Sequence, residues 1–368
     1  MLIVIHLIAE FDTFHRRPMI EGLADAAKGK TTIWCLEPEF TIYRNGRFKP
    51  NSVRQVKENL FVWMPHYWPW ESLLMKVGFR KQIENIFWKR IKDKIASKGE
   101  VIYTWVNKPR QINRIDRLGE EVVVYECYDD YQENPKEGET EKIAMLEAQL
   151  LKVADVTFVT SKPLEEKLRG RTNNVYYIGN GVDASLWQRQ YTVPEEIDGV
   201  EKPIAVLLGN INERVDIDLL EEVIKQAKDY CFLFIGAVSS IDFDRIKILP
   251  NVLWVGPKSR ESAAAYLCHS KIGMIPYKTN KFNDSSEVLK LYEYFAAGLP
   301  VISTLSAALE IHKDQIIFAK SADEYVAALN YFKNNNSDKL IKQMKATAHE
   351  HDWIAIGHKV LNIISKYK

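Results

Sequence analysis

The chain has 368 residues, 46% of them hydrophobic and 27% charged, which is too long for one ordinary core and suggests two domains at ~150 residues each. That composition excludes a disordered or fibrous chain, and a net charge of +1 argues against a nucleic-acid binder that uses its whole surface. Cys35, Cys127, Cys231 and Cys268 stand far apart with no CxxC spacing, the pattern of buried reduced thiols in a cytosolic protein rather than of a metal site.

No run reaches 18 apolar residues, so no spanning helix is expected. The opening MLIVIHLIAEF lacks a basic start and a small-residue cleavage site, and reads as a buried strand rather than a signal peptide. Along the chain, short apolar runs alternate with longer amphipathic ones. Strands are expected at 2–8, 32–36, 60–63, 101–105, 122–126, 156–160 and 175–178, with helices at 17–27, 73–97, 141–152 and 162–169 between them. A second series follows, with strands at 204–208, 231–235, 252–255, 272–275 and 301–303 and helices at 216–228, 260–269, 288–297 and 322–334. Continuous apolar strands between helices imply parallel sheets covered on both faces. The pattern occurs twice, so the chain reads as two doubly wound α/β domains, residues 1–187 and 203–350. Their junction is the polar stretch QRQYTVPEEIDGVEK, and an amphipathic helix at about 352–368 crosses back to the first domain.

The stretch SSEVLKLYEYFAAGLPVIST, Ser285 to Thr304, concentrates the chemistry. Asp284, Ser285 and Ser286 are good helix caps, and Asp284 with Glu287 has capping-box spacing. The first turn then presents unpaired N–H groups at the positive end of the helix dipole, where phosphate is attracted. Lys290, one turn in, reaches the same anion. Glu293 lies on that face and suits sugar hydroxyls. A plain surface Lys–Glu pair on a capped helix is the alternative.

KLYEYFAAGLPVIST resembles the donor-site signature of the GT-B glycosyltransferases, close to the family-4-like and teichuronic-acid-type sugar transferases of bacterial polysaccharide assembly. LLGNINERVDIDLL, FLFIGAV and NVLWVGPKSRESAAAYLCHSKIGMIPYKTN continue the resemblance through the second domain, and VYECYDDYQENP and VYYIGNGVDASLW carry it into the first. It implies two Rossmann-like domains facing a cleft, the first binding acceptor and the second a nucleotide-sugar donor. Position by position, it implies that Gly209 and Arg214 hold the donor diphosphate, with Gly236 at the next strand end. Leu219 stands where a second basic residue is usual, and Lys290 supplies that charge. The backbone of Ser285, Ser286, Glu287 and Val288 forms the pyrophosphate cradle, Glu293 meets the ribose, and the base lies near Val255 and Lys258. Ser285 replaces the first acid of the family's two-glutamate motif, which leaves the sugar contacts and the stereochemical outcome open.

On the acceptor side, Asp129 and Asp130 end a predicted strand, at the edge where open α/β sheets bind ligands. They are candidates to deprotonate an acceptor hydroxyl, with loop-capping as the alternative. Asp12, beside His15, Arg16 and Arg17, is a third candidate, and those basic residues either bind an anionic acceptor or flank a solvated helix start. Residues 61–98 place three tryptophans within eight residues and then eight Lys/Arg against two acids. That composition suits an anionic membrane surface, or else a helix packed on the first sheet with its basic face in water. The function implied is hexose transfer from a nucleotide diphosphate sugar, a UDP-sugar foremost, to a cell-surface polysaccharide or lipid-linked acceptor. No metal, cofactor or nucleic acid is expected, and the site of action is cytoplasmic or peripheral on the inner face of the plasma membrane. The alternatives are a nucleotide-sugar epimerase of the same fold and a non-catalytic nucleotide-sugar-binding partner.

Overall fold

A computed structural model describes residues 1–38, 40–41, 43–44, 47–48, 53–97, 99–134, 138–335 and 337–367. Lys98 and Lys368, which end two of the expected segments, lie outside them. The chain divides into two compact units, Met1–Ile178 with Trp353–Lys368, and Gly179–Asp352. The polar 188–202 stretch therefore falls inside the second unit.

The first unit is built on a sheet whose strands are β1 (Leu2–His6), β2 (Thr32–Leu36), β3 (Val53–Lys57), β4 (Leu60–Trp63), β5 (Ile102–Val106), β6 (Val122–Cys127), β7 (Val156–Val159) and β8 (Val175–Tyr177). Their order is β8-β7-β6-β5-β1-β2-β4-β3, all parallel except the β3–β4 pair. Strand β3 was not expected, because VRQVK is polar and carries no buried residue: it is an edge strand. Helices α1 (Arg17–Ala27), α2 (Arg80–Ile95), α3 (Thr140–Val153) and α4 (Lys162–Arg169) connect the strands. The C-terminal helix Trp353–Ile364 packs on α1 so closely that a Cβ on Gly22 would lie 2.6 Å from the Trp353 backbone. The long helix expected over 73–97 is broken. Gly78 has φ 105 and Val77 leaves helical geometry, so Pro69–Leu74 and α2 are separate segments.

In the second unit the strands are β9 (Ile204–Leu208), β10 (Cys231–Ile235), β11 (Val252–Trp254), β12 (Ile272–Ile275), β13 (Val301–Ser303) and β14 (Ile316–Phe318), in the order β11-β10-β9-β12-β13-β14 and all parallel. Every residue of β9 and β10 is buried, because helices cover both faces. One face packs α6 (Arg260–Cys268) and α8 (Leu289–Ala297) through residues such as Leu291, Tyr294 and Leu267. The other packs α5 (Ile217–Gln226) and α9 (Ala322–Asn334) through Leu220, Ile224, Tyr325 and Leu329. Helix α7 (Lys281–Ser285) precedes α8, and α10 (Asp338–Glu350) packs against it.

Candidate functional site

Strand order reverses between β9 and β12, and open α/β sheets bind ligands outside the carboxyl ends of strands at such a point. Gly209 follows β9 with φ 105, and its N–H donates to Ile235 at 2.8 Å. Gly236 follows β10, and a Cβ there would fall 2.1 Å from the Gly209 carbonyl oxygen. Only glycine fits, so the turn after β9 can lie flat on the turn after β10. Gly236 in turn donates to Gly256 at 3.0 Å, and Trp254 Nε1 donates to the Gly236 carbonyl at 3.0 Å. The open side of Gly209 faces Lys290, whose Cε and Nζ stand 3.5 Å from where a Cβ would be.

Three side chains converge beside this glycine floor. Tyr277, just past β12, has Lys290 Nζ 4.9 Å from its ring centre and Arg214 Cζ 4.8 Å from it. Arg214 is aimed by a chain of bonds: its Nε donates to Asn283 Oδ1 at 2.7 Å, and Asn283 Nδ2 donates to the Lys278 carbonyl at 2.7 Å. Its guanidinium also lies 4.9 Å from the centre of Phe282. Yet Arg214 Nη2 and Lys290 Nζ are buried and meet no hydrogen-bond acceptor among the described residues. Lys290 is only 7% exposed. Burial would raise the Tyr277 pKa, but the two cations overcome that and lower it. Leaving a buried cationic nitrogen without an acceptor is costly, and an anion held between the two would satisfy both. Tyr277, Phe282 and Asn283 were given no role from the sequence, although the strand ending in Pro276-Tyr277 belongs to the stretch that carries the resemblance.

The helix start differs from the expectation. Residues 281–285 form their own short helix, capped by Asn280, whose side chain accepts from the Asn283 N–H at 2.9 Å. No Asp284–Glu287 capping box exists. Ser285 and Ser286 each donate a hydroxyl back to a carbonyl of that segment. Helix α8 begins after Val288, with no side-chain cap on its first turn. Glu287 is buried, and its carboxylate accepts from Asn180 N–H at 2.8 Å and Tyr292 hydroxyl at 2.9 Å. That carboxylate therefore serves neither a capping box nor the donor, and only the Glu287 backbone remains for the expected cradle. Glu293 is half-buried one turn on from Lys290. Burial raises its pKa, with Arg260 and Lys290 opposing. Val255 donates to the Phe234 carbonyl at 3.1 Å, which keeps it at the sheet edge. Lys258 is tied to Glu196 at 2.7 Å on the surface.

The first unit's acids fare differently. Asp130 is buried and held at both oxygens by Lys167 Nζ at 2.7 and 2.8 Å, which makes it a structural partner rather than a proton acceptor. Asp12 is 57% exposed and pairs with Arg17 and Arg54, a surface role. Asp129 is half-buried just past β6. Arg16, read as binding an anionic acceptor or flanking a solvated helix start, is instead buried and paired with Glu126. His15 packs edge-on to Tyr128 at 4.7 Å, and desolvation with Arg16 and Lys108 pushes its pKa down to about 4, so it is neutral at pH 7.

Known proteins share this layout. Residues 202–335 match the family described as "Glycosyl transferases group 1". The putative teichuronic acid biosynthesis glycosyltransferase TuaH of Bacillus subtilis (strain 168) is 25% identical over 261 residues, covering 65% of this chain and 66% of the relative. Among solved structures, sucrose-phosphate synthase from Thermosynechococcus elongatus aligns over 99% of this chain and 98% of its own with a TM-score of 0.73 at 17% identity. Anabaena Alr3699/HepE in complex with UDP and glucose aligns over 100% of both chains at 0.70 and 11%. The chain has the GT-B fold over nearly its whole length. Within it, residues 202–335 form a domain similar to the group 1 glycosyl transferases.

Proposed function

We propose that the protein transfers a hexose from a nucleoside diphosphate sugar, a UDP-sugar foremost, to a cell-surface polysaccharide or lipid-linked acceptor. One observation carries the reading: the buried nitrogens Arg214 Nη2 and Lys290 Nζ flank Tyr277 beside the Gly209 turn with no hydrogen-bonded negative charge among the described residues. A diphosphate supplies that charge. As the glycosidic bond to the leaving phosphate breaks, the same cations and the uncapped start of α8 stabilise the charge that develops there. This gives the site the charge neutralisation that a metal supplies elsewhere, which supports a metal-independent transfer. Glu293 is assigned to the ribose hydroxyls, and Val255 with its neighbouring backbone to the base. Asp129 is kept for the acceptor hydroxyl, since Asp130 is taken by Lys167 and Asp12 sits on the surface.

The names of similar proteins agree: one belongs to teichuronic acid biosynthesis and another was solved with UDP-glucose. We also propose peripheral attachment to an anionic membrane through residues 61–98, where Trp68, Trp70, Leu73, Val77 and Phe79 are exposed beside Lys76, Arg80 and Lys81.

Thermal denaturation with UDP, ADP and GDP tests the donor site. A ligand at 100 times its dissociation constant stabilises by ~2.7 kcal/mol. UDP is expected to raise the melting temperature in the wild type and not in Lys290→Ala. If no nucleoside diphosphate stabilises the wild type, the reading fails.

A further inference from the structure

Glu287 lies three residues before Lys290, yet its bonds lead elsewhere. The chain enters the second unit at Gly179 and leaves it at Asp352. Just inside those points the two connecting segments are laced together. Val182 N–H donates to the His351 carbonyl at 2.9 Å, Ala184 N–H to Asp352 Oδ2 at 3.3 Å, and His351 Nδ1 lies 2.8 Å from the Asn180 carbonyl. Glu287 closes this lacing onto the donor helix. Its Oε2 accepts from Asn180 N–H at 2.8 Å, and its own carbonyl accepts from Asn180 Nδ2 at 2.6 Å. Its Oε1 accepts the Tyr292 hydroxyl at 2.9 Å, and the Tyr292 ring stacks on His351 at 4.2 Å. Asn180 and Glu287 are each 5% exposed, so these bonds do not compete with water.

We propose that Glu287 is a positioning residue that ties the start of α8 to both connecting segments, so that an anion bound at Lys290 also orders residues 180–184 and 351–352. The inference rests on the diphosphate reading of the Arg214–Lys290 site. It assigns Glu287 no contact with the donor. Val288 and Leu289 separate Glu287 from Lys290, so the position of the cradle depends on where Asn180 holds the residue before it. Coupling of this kind is reciprocal: whatever fixes the connecting segments also tightens the anion site.

Hydrogen exchange of the full chain, with and without UDP, tests it. In the wild type, UDP is expected to slow exchange at 209–214 and 286–291, and also at 180–184 and 351–352. In Glu287→Ala the first pair stays protected, the second loses its protection, and UDP binds about tenfold more weakly, the size of one buried charged hydrogen bond. Glu287→Gln retains the coupling, because its amide oxygen still accepts from Asn180 N–H while the Tyr292 hydroxyl turns to accept. A residue needed only for bulk packing does not separate alanine from glutamine in this way. If Glu287→Ala does not fold, Asn180→Ala, which removes the bond to the Glu287 carbonyl, is read by the same measurements. Protection confined to 209–214 and 286–291 in the wild type overturns this inference and leaves the donor site standing. Persistence of the connecting-segment protection in the alanine variant also overturns it. Absence of any UDP protection removes the donor site and the coupling together.

Discussion

Each unit takes a guanidinium nitrogen out of water, and the two are treated in opposite ways. In the first unit, Arg16 is 2% exposed and Glu126 is 1% exposed. Arg16 Nε meets Glu126 Oε1 at 2.8 Å, while Trp105 Nε1 and Asn107 Nδ2 occupy the other oxygen at 3.1 and 2.9 Å. Charge and hydrogen bonds close within the protein. In the second unit, Arg214 has one side-chain bond, to a neutral asparagine, and Lys290 meets aromatic and glycine surface. A saturated pair is architecture, whereas an unsaturated pair of like charges is a place prepared for an anion. Composition cannot separate the two cases. The partner decides, and the partner comes from elsewhere in the chain.

The sharpest way to break that contrast is to make the first unit resemble the second. Glu126→Gln strands Arg16 in the core, and loss of one partner from a buried pair costs ~3–5 kcal/mol. Urea denaturation is expected to show that loss. If Glu126→Gln is as stable as the wild type, Arg16 is not a structural cation and the comparison fails. The converse is Lys290→Ala. Removing an unpaired buried charge relieves desolvation, so the urea midpoint holds or rises. Loss of a donor aimed at developing charge lowers kcat/KM with a UDP-sugar by ~10²–10³-fold. A variant that loses stability and activity together makes Lys290 structural.

The contrast also shows what the sequence disclosed. Residues near one another in the chain were legible: the glycine after β9, the Lys290–Glu293 spacing in α8, and the alternation that defines both parallel sheets. Partnerships across long separations were not. Asp130 meets Lys167 37 residues away, Glu126 meets Arg16 110 residues away, and Glu287 meets Asn180 107 residues away. Nothing local to Asp130 or Glu287 pointed to those partners. The start of α8 was misread for a local reason. Asn280 outcompetes Asp284 as a cap and closes a separate turn over 281–285. Gly78 could be seen in the sequence, but nothing around it announced a positive φ in the middle of a helical pattern.

Buried histidines extend the comparison to pH. His312 in the second unit is 6% exposed, and burial, with the nearby His351, lowers its pKa from 6.5 to about 4, although Glu287 lies 3.9 Å away. Below pH 6.5 the unfolded chain takes up a proton that the folded chain refuses, so stability falls as pH drops from 6.5 toward 4 and levels off below that. The depressed pKa corresponds to about 3 kcal/mol. Replacing His312 with Gln removes this group's contribution, so the acid sensitivity of the variant is expected to be smaller by about that amount in urea midpoints at pH 7 and pH 4. Equal sensitivity in the two proteins shows that His312 does not govern it.

The smallest effect concerns apolar side chains, where the same test of saturation applies. Helix α2 turns Ile83, Phe87, Trp88 and Ile91 inward, so its apolar side is already occupied by the first sheet. Its lysines alone give only the solvated face that the plainer sequence alternative described. Just before it, Trp70, Leu73, Val77 and Phe79 are each more than half exposed, on either side of the break at Gly78. These side chains stay exposed, as Arg214 Nη2 and Lys290 Nζ stay without a hydrogen-bond acceptor among the described residues. An anionic bilayer answers both their apolarity and the neighbouring Lys76, Arg80 and Lys81. Half of a phenylalanine's burial is worth about 1 kcal/mol, so Phe79→Ser is expected to weaken co-sedimentation with phosphatidylglycerol vesicles about fivefold. Lys81→Glu weakens it more at low salt than at high salt, because charge attraction is screened and apolar insertion is not. Absence of wild-type binding to these vesicles at low salt, or binding that Phe79→Ser leaves untouched, removes the bilayer as the cover for this patch.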